Sequence, residues 1–501
     1  MRCKYGGSDS MPAVYMSSSF AICSTPAYNV SGYAAVAMTT NGQDYVTSTV
    51  NVFVYDELSP FSITPTFGSI TGGTLVTVQG GPNLLVDAVS VCSFGDLLSA
   101  MKVVGTDVVC QSPAFPVAGS VSFKIALDGI NFACYPQASN ELCKFTYFSE
   151  LGITSIFPNV SSVQGGTTIQ VYGYGFLAFS SARCFFGQAS TSFTVTSATQ
   201  GSCESPAVQS PQKVSFSVTI NGRDQVYYSS TFQLYNLSVL HALVPPGSPV
   251  QGGSSLTIQG DFFSEFAGFE NVVKFGNVSL PLVRASRISS SIISCIIPPA
   301  QAAGLLHVQV ALNGYSMAGR YDVAGDEWSN ELSFLSYVQP DILSIWPWAV
   351  STRGSDVITV AVSSTYVVRD FARCRFLIEF ATSKTAEATI LSSSTMACRS
   401  PATTSPARAS VEISMNSLDF TLSRIFVLQL LDPPAVVSFL PSSSFSFGST
   451  EFEVSAANFV DTQWASCVFN GNGTSTAALA LVNSTSGACS APPTLGEGLY
   501  N

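Results

Sequence analysis

Residues Ile63–Gly80 read I-T-P-T-F-G-S-I-T-G-G-T-L-V-T-V-Q-G, and close variants of this stretch return along the chain. The stretch is followed by C-S-F-G at residues 92–95, by V-V-C-Q-S-P at residues 108–113, and by Asp128-Gly129. The second cysteine of the pattern falls at residues 23, 110, 203, 295, 398 and 489, so the period lies between 87 and 103 residues. A period of this length predicts a tandem array of small domains.

Each period contains short runs in which apolar and polar residues alternate, such as the run through Val76 and Val78. Clusters of Gly, Pro and Asn separate these runs, which is typical of an antiparallel sandwich. The Gly-Gly pairs suit a turn with positive φ, and Asp128-Gly129, Asn221-Gly222 and Asn313-Gly314 predict hairpin turns. About ninety residues with some seven short strands predict an all-β chain of immunoglobulin-like sandwiches.

Four sequence marks carry a family resemblance: P-x-x-G-x-x-x-G-G-T, then G-x-x-F, then C-x-F-G, and then C-x-x-P followed by a hairpin. They resemble the IPT/TIG domain, an immunoglobulin-like module of plexin-type receptors, other cell-surface proteins, certain transcription factors and some starch-acting enzymes. The resemblance implies a fold rather than one function, because this module is a scaffold in unrelated proteins.

The repeat predicts six units along the chain. Residues 1–57 are expected to hold the second half of a unit, and residues 432–501 the first half of another. Complete units are expected at 58–149, 150–236 and 237–338, with a divergent unit at 339–431, where Arg353-Gly354-Ser355 replaces Gly-Gly-Thr. We expect the 501 residues to be an internal stretch of a longer polypeptide, because a half-sandwich exposes strand edges.

The composition narrows the classes of partner. The chain is 46% apolar and only 10% charged, with a net charge of −11. An acidic chain repels nucleic acid and anionic lipid, so we expect no nucleic-acid partner. No window of 18 uninterrupted apolar residues occurs, so this stretch is not expected to insert directly into a membrane. Residues 1–7 also lack the apolar core of a signal peptide.

The thirteen cysteines follow the repeat. Separations of 18 to 24 residues recur at one position of the unit and predict five disulfides, and a sixth lies within one loop. The predicted pairs are Cys3–Cys23, Cys92–Cys110, Cys184–Cys203, Cys374–Cys398, Cys467–Cys489 and, in the loop, Cys134–Cys143. Cys295 is left as a free thiol, because Val273 stands at its partner position. The alternatives for Cys295 are a buried apolar thiol and an intermolecular bridge.

Paired cysteines predict an oxidising compartment and therefore an extracellular or cell-surface chain of the secretory pathway. Six N-x-[ST] sequons agree with this localisation and predict N-linked glycans, with Asn29, Asn236 and Asn277 as the preferred sites. The full set is Asn29, Asn159, Asn236, Asn277, Asn472 and Asn483.

No catalytic or phosphate-binding motif appears in the sequence, and the cysteine spacing and the two histidines do not suggest a metal site. We therefore expect no enzyme, no cofactor and no bound metal. Two features are candidate interaction surfaces: Trp346 with Trp348, and the basic cluster of Arg369, Arg373 and Arg375. The competing interpretations are packing at an interdomain joint for the tryptophans and ordinary solvated charge for the arginines.

The sequence favours a non-enzymatic extracellular structural or adhesive repeat protein of a surface coat, fibre or appendage. Its expected partners are other copies of itself or neighbouring extracellular proteins, through many weak contacts. Two alternatives remain open: the ligand-binding ectodomain of a plexin-like receptor, and an accessory module of a carbohydrate-active enzyme.

Overall fold

The computed structural model describes residues 1–27, 32–55, 62–79, 89–104, 107–134, 144–276, 280–317, 320–325, 327–364, 371–422, 425–443, 450–460, 462, 465–470 and 474–491. These residues contain many short β-strands and no α-helix, which confirms the all-β prediction. The chain divides into two compact units, Met1–Tyr235 and Asn236–Asn501.

The first unit begins with one antiparallel sheet of five strands: β1 (Arg2–Tyr5), β2 (Met11–Ser17), β3 (Phe20–Cys23), β4 (Gly32–Thr39) and β5 (Val46–Val54), in the order β3-β2-β1-β4-β5. A sandwich of eight strands follows: β6 (Ser62–Thr64), β7 (Phe67–Ser69), β8 (Leu75–Gln79), β9 (Val91–Phe94), β10 (Leu97–Val104), β11 (Asp107–Gln111), β12 (Gly119–Ala126) and β13 (Lys144–Phe148), in the order β6-β8-β11-β10-β9-β12-β13-β7.

The next sandwich of the first unit consists of two separate sheets. Its strands are β14 (Gly152–Phe157), β15 (Val160–Ser162), β16 (Thr168–Tyr174), β17 (Arg183–Phe186), β18 (Ala189–Ser192), β19 (Thr194–Ser197), β20 (Gln200–Glu204), β21 (Gln212–Thr219) and β22 (Val226–Tyr235). The sheet orders are β14-β16-β20-β19 and β15-β22-β21-β17-β18.

The second unit opens with a sandwich that has the same strand order as β6–β13. Its strands are β23 (Val239–Val244), β24 (Gly247–Pro249), β25 (Ser255–Asp261), β26 (Glu270–Phe275), β27 (Val283–Ser289), β28 (Ile292–Ile296), β29 (Gly304–Met317), β30 (Arg320–Val323) and β31 (Leu332–Tyr337). The strand order is β23-β25-β28-β27-β26-β29-β31-β24, and β30 pairs with β29.

The divergent stretch folds in the same way. It contains β32 (Ile342–Trp346), β33 (Ala349–Ser351), β34 (Val357–Val362), β35 (Arg373–Ile378), β36 (Lys384–Ser392), β37 (Thr395–Arg399), β38 (Ala407–Ser414) and β39 (Val427–Leu431), in the order β32-β34-β37-β36-β35-β38-β39-β33. The last strands are β40 (Ala435–Leu440), β41 (Glu451–Ala457), β42 (Ser466–Asn470), β43 (Thr474–Ala478), β44 (Ala480–Asn483) and β45 (Ser486–Ser490), in the sheets β40-β41-β45-β44 and β42-β43.

The proline of the first sequence mark lies where a strand passes from one sheet to the other. Before Pro65, β6 pairs antiparallel with β8, and after it β7 pairs parallel with β13. Proline has no N–H to donate to a ladder, so the pairing of the first sheet ends there. The same division occurs around Pro158, between β14 and β15, and around Pro347, between β32 and β33.

The phenylalanine of C-x-F-G fills the centre of each core. Phe94 is fully buried, and its ring lies 5.0 Å from the rings of both Phe123 and Phe145 in edge-to-face geometry. Phe186 makes the equivalent contacts in the next sandwich, at 5.1 Å from Phe216 and 4.9 Å from Phe232. Such aromatic pairs stabilise a core by roughly 0.5–1.5 kcal/mol beyond the burial of their area.

Only the first glycine of each Gly-Gly pair is required by close approach. Gly165 has φ of +75°, and a Cβ there would lie 2.6 Å from the backbone nitrogen of Ala207. A Cβ on Gly166 would meet nothing within 4 Å. The divergent unit follows this rule, because it keeps Gly354 at the crowded position and places Ser355, with φ of +69°, at the open one.

One predicted hairpin is wrong. Asn313-Gly314 is not a turn: β29 continues through these residues to Met317, and Gly314 pairs with Val323 of β30. The amide of Asn313 faces inward, where Nδ2 donates to the carbonyl oxygen of Ala324 (2.7 Å) and to Oε2 of Glu327 (2.9 Å). These buried partners hold Asn313 in the strand, against its local preference for a turn.

Candidate functional site at the joints between sandwiches

The hairpin Asn221–Asp224 is a compact hydrogen-bonded loop. Oδ1 of Asn221 accepts hydrogen bonds from the backbone nitrogens of Arg223 (3.0 Å) and Asp224 (2.9 Å), and Nδ2 donates to Oδ2 of Asp224 at 2.8 Å. Gly222 provides the positive φ, +74°, that this loop needs. Asn and Asp side chains are favoured in such turns because they bond backbone groups two or three residues away.

This hairpin bonds the preceding sandwich of the same unit. Nδ2 of Asn221 also donates to the carbonyl oxygen of Phe67 at 3.2 Å, and the hydroxyl of Thr74 donates to Oδ2 of Asp224 at 2.5 Å. Arg223 donates from Nη2 to the hydroxyl of Thr77 at 3.2 Å. A hydrogen bond to a charged group contributes roughly 1.5–3 kcal/mol, which applies to both the Thr74–Asp224 and the Arg223–Thr77 bonds.

Apolar contact reinforces the first joint. The ring of Phe67 stacks on that of Phe179, with centroids 3.8 Å apart and planes inclined by 22°. Phe148 and Leu151 are buried in the core of the sandwich formed by β14–β22. Beside these contacts lies an open cleft of about 680 Å³, lined by Gly72, Glu150, Arg223, Tyr227 and their neighbours. Shared apolar burial restrains the two sandwiches relative to each other.

The second unit contains a joint of the same design. In the hairpin Asn416–Asp419, Oδ1 of Asn416 accepts from the backbone nitrogens of Leu418 (3.1 Å) and Asp419 (2.9 Å), and Nδ2 donates to Asp419 at 2.8 Å. Nδ2 of Asn416 also donates to the carbonyl oxygen of Gly247 at 3.2 Å, and the hydroxyl of Ser254 donates to the carboxylate of Asp419.

The two joints match residue by residue. Phe67 and Gly247 each stand two residues after a proline, and Thr74 and Ser254 each follow the Gly-Gly pair. We call residues 67–74 and 247–254 acceptor turns, and residues 221–224 and 416–419 joint hairpins.

Further contacts surround the second joint hairpin. Gln339 donates from Nε2 to the carbonyl oxygen of Asp419 at 3.0 Å. Burial, together with the nearby carboxylate of Asp419, raises the pKa of Tyr337 above its ordinary value. The joint therefore places the carboxylate of Asp419 near the buried Tyr337. This carboxylate accepts hydrogen bonds from the hydroxyl of Ser254 and the amide of Asn416.

The cysteines lie as the repeat predicts. Disulfides join Cys3–Cys23, Cys92–Cys110, Cys184–Cys203, Cys374–Cys398 and Cys467–Cys489. Cys134 is also disulfide-bonded, whereas Cys143, its predicted partner, lies outside the described residues. Because each bridge closes a loop of 18 to 24 residues, it contributes about 3 kcal/mol to the stability of its sandwich.

Cys295 is a free, buried thiol. It pairs in the sheet with Leu256 on one side and Ala285 on the other, and Val273 is likewise fully buried. Burial raises the pKa of Cys295 to about 12, so the thiol is unreactive near neutral pH. These contacts favour the interpretation of Cys295 as a small apolar core residue.

Three of the six sequons fall on described residues. Asn159 and Asn236 are half-buried, and Asn483 is exposed at the end of β44. Oδ1 of Asn483 accepts from the backbone nitrogen and the hydroxyl of Thr485, both at 2.9 Å. Asn29, Asn277 and Asn472 lie outside the described residues. Asn483 is therefore the most accessible described acceptor, although the sequence favoured other sites.

The predicted basic surface is partly engaged in the fold. Arg375 donates from Nε to Oε2 of Glu412 at 2.7 Å, and its guanidinium lies 4.0 Å from the centre of the Phe420 ring. Arg373 lies 3.4 Å from the exposed carboxylate of Glu387, and Arg369 lies outside the described residues. Arg375 is thus held by the buried carboxylate of Glu412 in its own sandwich.

The two tryptophans lie on either side of Pro347. Trp346 ends β32, where it pairs with Thr359, and remains 57% exposed, whereas Trp348 is half-buried. The backbone of Trp348 accepts a hydrogen bond from Gln429 at 2.8 Å. Trp346 therefore stays a candidate contact residue, and Trp348 takes part in the sandwich itself.

No group of three or more His, Cys, Asp or Glu side chains that could hold a metal ion occurs among the described residues. No helix in the described part of the chain is long and apolar enough to span a membrane. The geometry defines a class: disulfide-bonded, immunoglobulin-like sandwiches in tandem, joined within each unit by hydrogen-bonded hairpins.

The family model described as "IPT/TIG domain" matches residues 60–147, 151–234 and 238–323. These matches cover more than half of the chain, which therefore belongs to the IPT/TIG domain family. Modules of this family are non-catalytic β-sandwiches.

Several solved structures are similar to this chain. The plexin A4 extracellular region is 13% identical over 87% of this chain and 46% of its own, with a TM-score of 0.30. The Escherichia coli adhesin FdeC is 15% identical over 56% of this chain and 100% of its own, with a TM-score of 0.20. SGBP-B of Bacteroides ovatus, solved with a mixed-linkage heptasaccharide, is 10% identical over 69% and 89%, with a TM-score of 0.18. The chain spans about half the length of the plexin extracellular regions it matches.

Proposed function

We propose that the chain is a non-enzymatic extracellular spacer, in which hydrogen-bonded joints hold IPT/TIG sandwiches at a fixed orientation within each unit. In this role it belongs to a surface coat, fibre or appendage and presents its loops and sheet faces to further copies or to neighbouring extracellular proteins. Many weak contacts along such an array add through effective concentration.

The observation that carries the proposal is the recurrence of one joint in two different pairs of sandwiches. Asn221 and Asn416 are 4% and 1% exposed, so both amides are removed from water at the contact. Each amide uses its two N–H donors, one for its own hairpin and one for the preceding sandwich. Buried donors with fixed acceptors restrict the orientations open to neighbouring domains.

Five disulfides support the extracellular part of the proposal, because such bonds persist in oxidising compartments. The low fraction of charged residues, 10%, fits a surface that is partly covered by glycans or by neighbouring molecules. Non-reducing peptide mapping of native material tests this part. Predominantly free thiols at these ten positions would place the protein in a reducing compartment instead.

The spacer role is tested by the distance between the two sandwiches of the first joint. Fluorescent labels introduced through non-natural amino acids at the exposed positions Leu98 and Ser190 report on it by single-molecule energy transfer. We expect one narrow distance distribution in the full chain. The double variant Asn221→Ala, Asp224→Ala should broaden the distribution, because two of the three hydrogen bonds across the joint are lost.

The matched control is the double variant Asp128→Ala, Asn131→Ala. Asp128 accepts from the backbone of Ile130 (3.0 Å) and Asn131 (2.8 Å) in a similar loop. Asn131 is exposed, and the half-buried Asp128 also bonds Tyr55, which packs on the core of the same sandwich. This control should keep the narrow distribution. If the distribution is already broad in the native chain, or is unchanged by loss of Asn221 and Asp224, the joint does not act as a spacer.

A further inference from the structure

The turn after β35 presents a phenylalanine where three other sandwiches have glycine. Gly95, Gly187 and Gly276 directly follow the buried phenylalanine of the C-x-F-G position, with φ of +62°, +63° and +70°. In the divergent unit β35 continues to Ile378, and the turn beyond it holds Phe380 with φ of +59°. This region is unfavourable for a residue with a Cβ, yet the ring is fully exposed. Backbone strain at an exposed aromatic residue points to a contact surface.

Positive charge surrounds Phe380. It is the only large apolar residue of the loop between β35 and β36. Lys384 donates from Nζ to the carbonyl oxygen of Ala402 at 2.7 Å, and the backbone nitrogen of Glu379 donates to the carbonyl oxygen of Arg408 at 2.9 Å. Both cations are exposed, and neither belongs to an ion pair within the described part of the chain. With the carboxylate of Glu379 included, the charge beside the ring is +1.

The open cleft at the first joint has the complementary composition. Its volume of about 680 Å³ lies within the roughly 300–1,000 Å³ of typical ligand pockets. Leu151 and the ring of Tyr227, which is 63% exposed, give its wall apolar surface. Its charged side chains are Glu150, Asp224 and Arg223, which sum to −1. Glu150 is exposed, and its carboxylate forms no ion pair with a described residue.

We propose that the loop with Phe380 inserts into this cleft on a second copy of the chain. The ring of Phe380 would pack against Tyr227 and Leu151, and Lys384 and Arg408 would face Glu150. One chain thus carries both a projecting aromatic ring with positive charge around it and an apolar cleft with negative charge. The proposal rests on the proposed function, because it names the contact through which further copies join the array.

The contact has two consequences for assembly. It uses two different surfaces of the chain, and head-to-tail contacts of this kind generate open chains rather than closed dimers. The cleft is lined by residues 69–73 of one sandwich and residues 223–227 of the next, so an inserted ring contacts both sides of the joint. Since each copy has a net charge of −11, moderate salt should favour association by screening the overall repulsion.

The test is sedimentation velocity of the full chain at increasing concentration in moderate salt. We expect the average mass to rise above the 52.7 kDa of one chain. Phe380→Gly and Glu150→Lys should each weaken self-association about tenfold or more, because the first removes the buried ring and the second reverses the charge of the cleft. An equimolar mixture should form a one-to-one dimer and nothing larger, because only the cleft of Phe380→Gly and the loop of Glu150→Lys are intact.

The matched control is Phe262→Gly. Phe262 is also an exposed phenylalanine with positive φ, +66°, but it lies in a different sandwich. This variant should associate like the native chain. Phe380→Gly should unfold at the same temperature as the native chain or at a higher one, because glycine relieves the strain. Its loss of association would then not result from misfolding.

Photocrosslinking identifies the occupant of the cleft. With p-benzoylphenylalanine in place of Phe380 and a second, isotopically labelled native chain, we expect crosslinks between copies to the peptides that contain Leu151 or Tyr227. A native chain that stays monomeric at every concentration overturns the proposal, as do undiminished association of Phe380→Gly and crosslinks confined to one copy. None of these results affects the energy-transfer test of the spacer role, which measures a joint inside single molecules.

Discussion

Replacing the two glycines of one Gly-Gly pair separately tests why the pair is present. Gly165 and Gly166 have similar positive φ, +75° and +84°, so alanine costs about 1–2 kcal/mol of backbone strain at either position. At Gly165 the new Cβ would also lie 2.6 Å from the nitrogen of Ala207 and 2.7 Å from the carbonyl carbon of Pro206. Backbone atoms cannot rotate away from such contacts.

The extra overlap makes the two variants differ measurably. Overpacking of a well-packed site costs typically 1–3 kcal/mol, so Gly165→Ala should destabilise its sandwich by about 2–5 kcal/mol and Gly166→Ala by about 1–2 kcal/mol. For a domain of this size, 1 kcal/mol corresponds to roughly 4–8 °C in Tm. Differential scanning calorimetry of the full chain should therefore show one unfolding transition shifted clearly further by Gly165→Ala than by Gly166→Ala.

The result that refutes this reasoning is an equal shift in the two variants. It would mean that positive φ alone, and not close approach to the loop after β20, selects glycine at both positions. Ser355→Gly provides an independent check in the divergent unit, because it removes positive-φ strain at an open position. It should be neutral or should stabilise by about 1 kcal/mol.

Three further predictions concern single side chains. Val273→Cys should form a disulfide with Cys295 and stabilise its sandwich by about 3 kcal/mol, less the packing energy lost with valine. Val273→Ser should form no disulfide and give no such gain. Thiol titration of the denatured protein would detect the disulfide, and calorimetry would measure the change in stability. Glu412→Ala should cost about 3 kcal/mol in denaturant unfolding, because it strands a half-buried arginine, whereas the exposed Glu387→Ala should cost under about 0.5 kcal/mol. In secreted material, glycopeptide mass spectrometry should find Asn483 modified, and Asn483→Gln should remove that mass.

The sequence predicts local features of the sandwiches well, because short patterns determine them. Alternation specifies strands, and the proline after Thr64 marks where a strand changes sheet. The cysteines that are 18 to 24 residues apart bridge strands that do not pair directly, as β9 and β11 show. Asn313-Gly314 shows the limit of such patterns. The buried partner Glu327 lies 14 residues away and outweighs the local preference for a turn.

The sequence did not predict the joints between sandwiches, because their bonding partners are also far apart along the chain. The contact of Asn221 with Phe67 spans 154 residues, and that of Asn416 with Gly247 spans 169, so no short pattern contains both partners. A signal was nevertheless present, since Asn followed three residues later by Asp recurs at 41–44, 221–224 and 416–419. The recurrence indicates a contact between sandwiches only once the structure shows Asn221 and Asn416 bonded to a neighbouring sandwich.

The residue after the Gly-Gly position bonds the joint hairpin in both joints. Thr74 and Ser254 carry hydroxyls that donate to a carboxylate. Asp356 stands at the same position of the divergent unit, where its own carboxylate accepts from the backbone nitrogen of Ser351 at 2.7 Å. A second carboxylate placed beside it would be repelled rather than bound. The carboxylate of Asp356 thus disfavours a joint of this kind on the divergent unit, while Gly354, like Gly72 and Gly252, keeps the positive φ that these turns share.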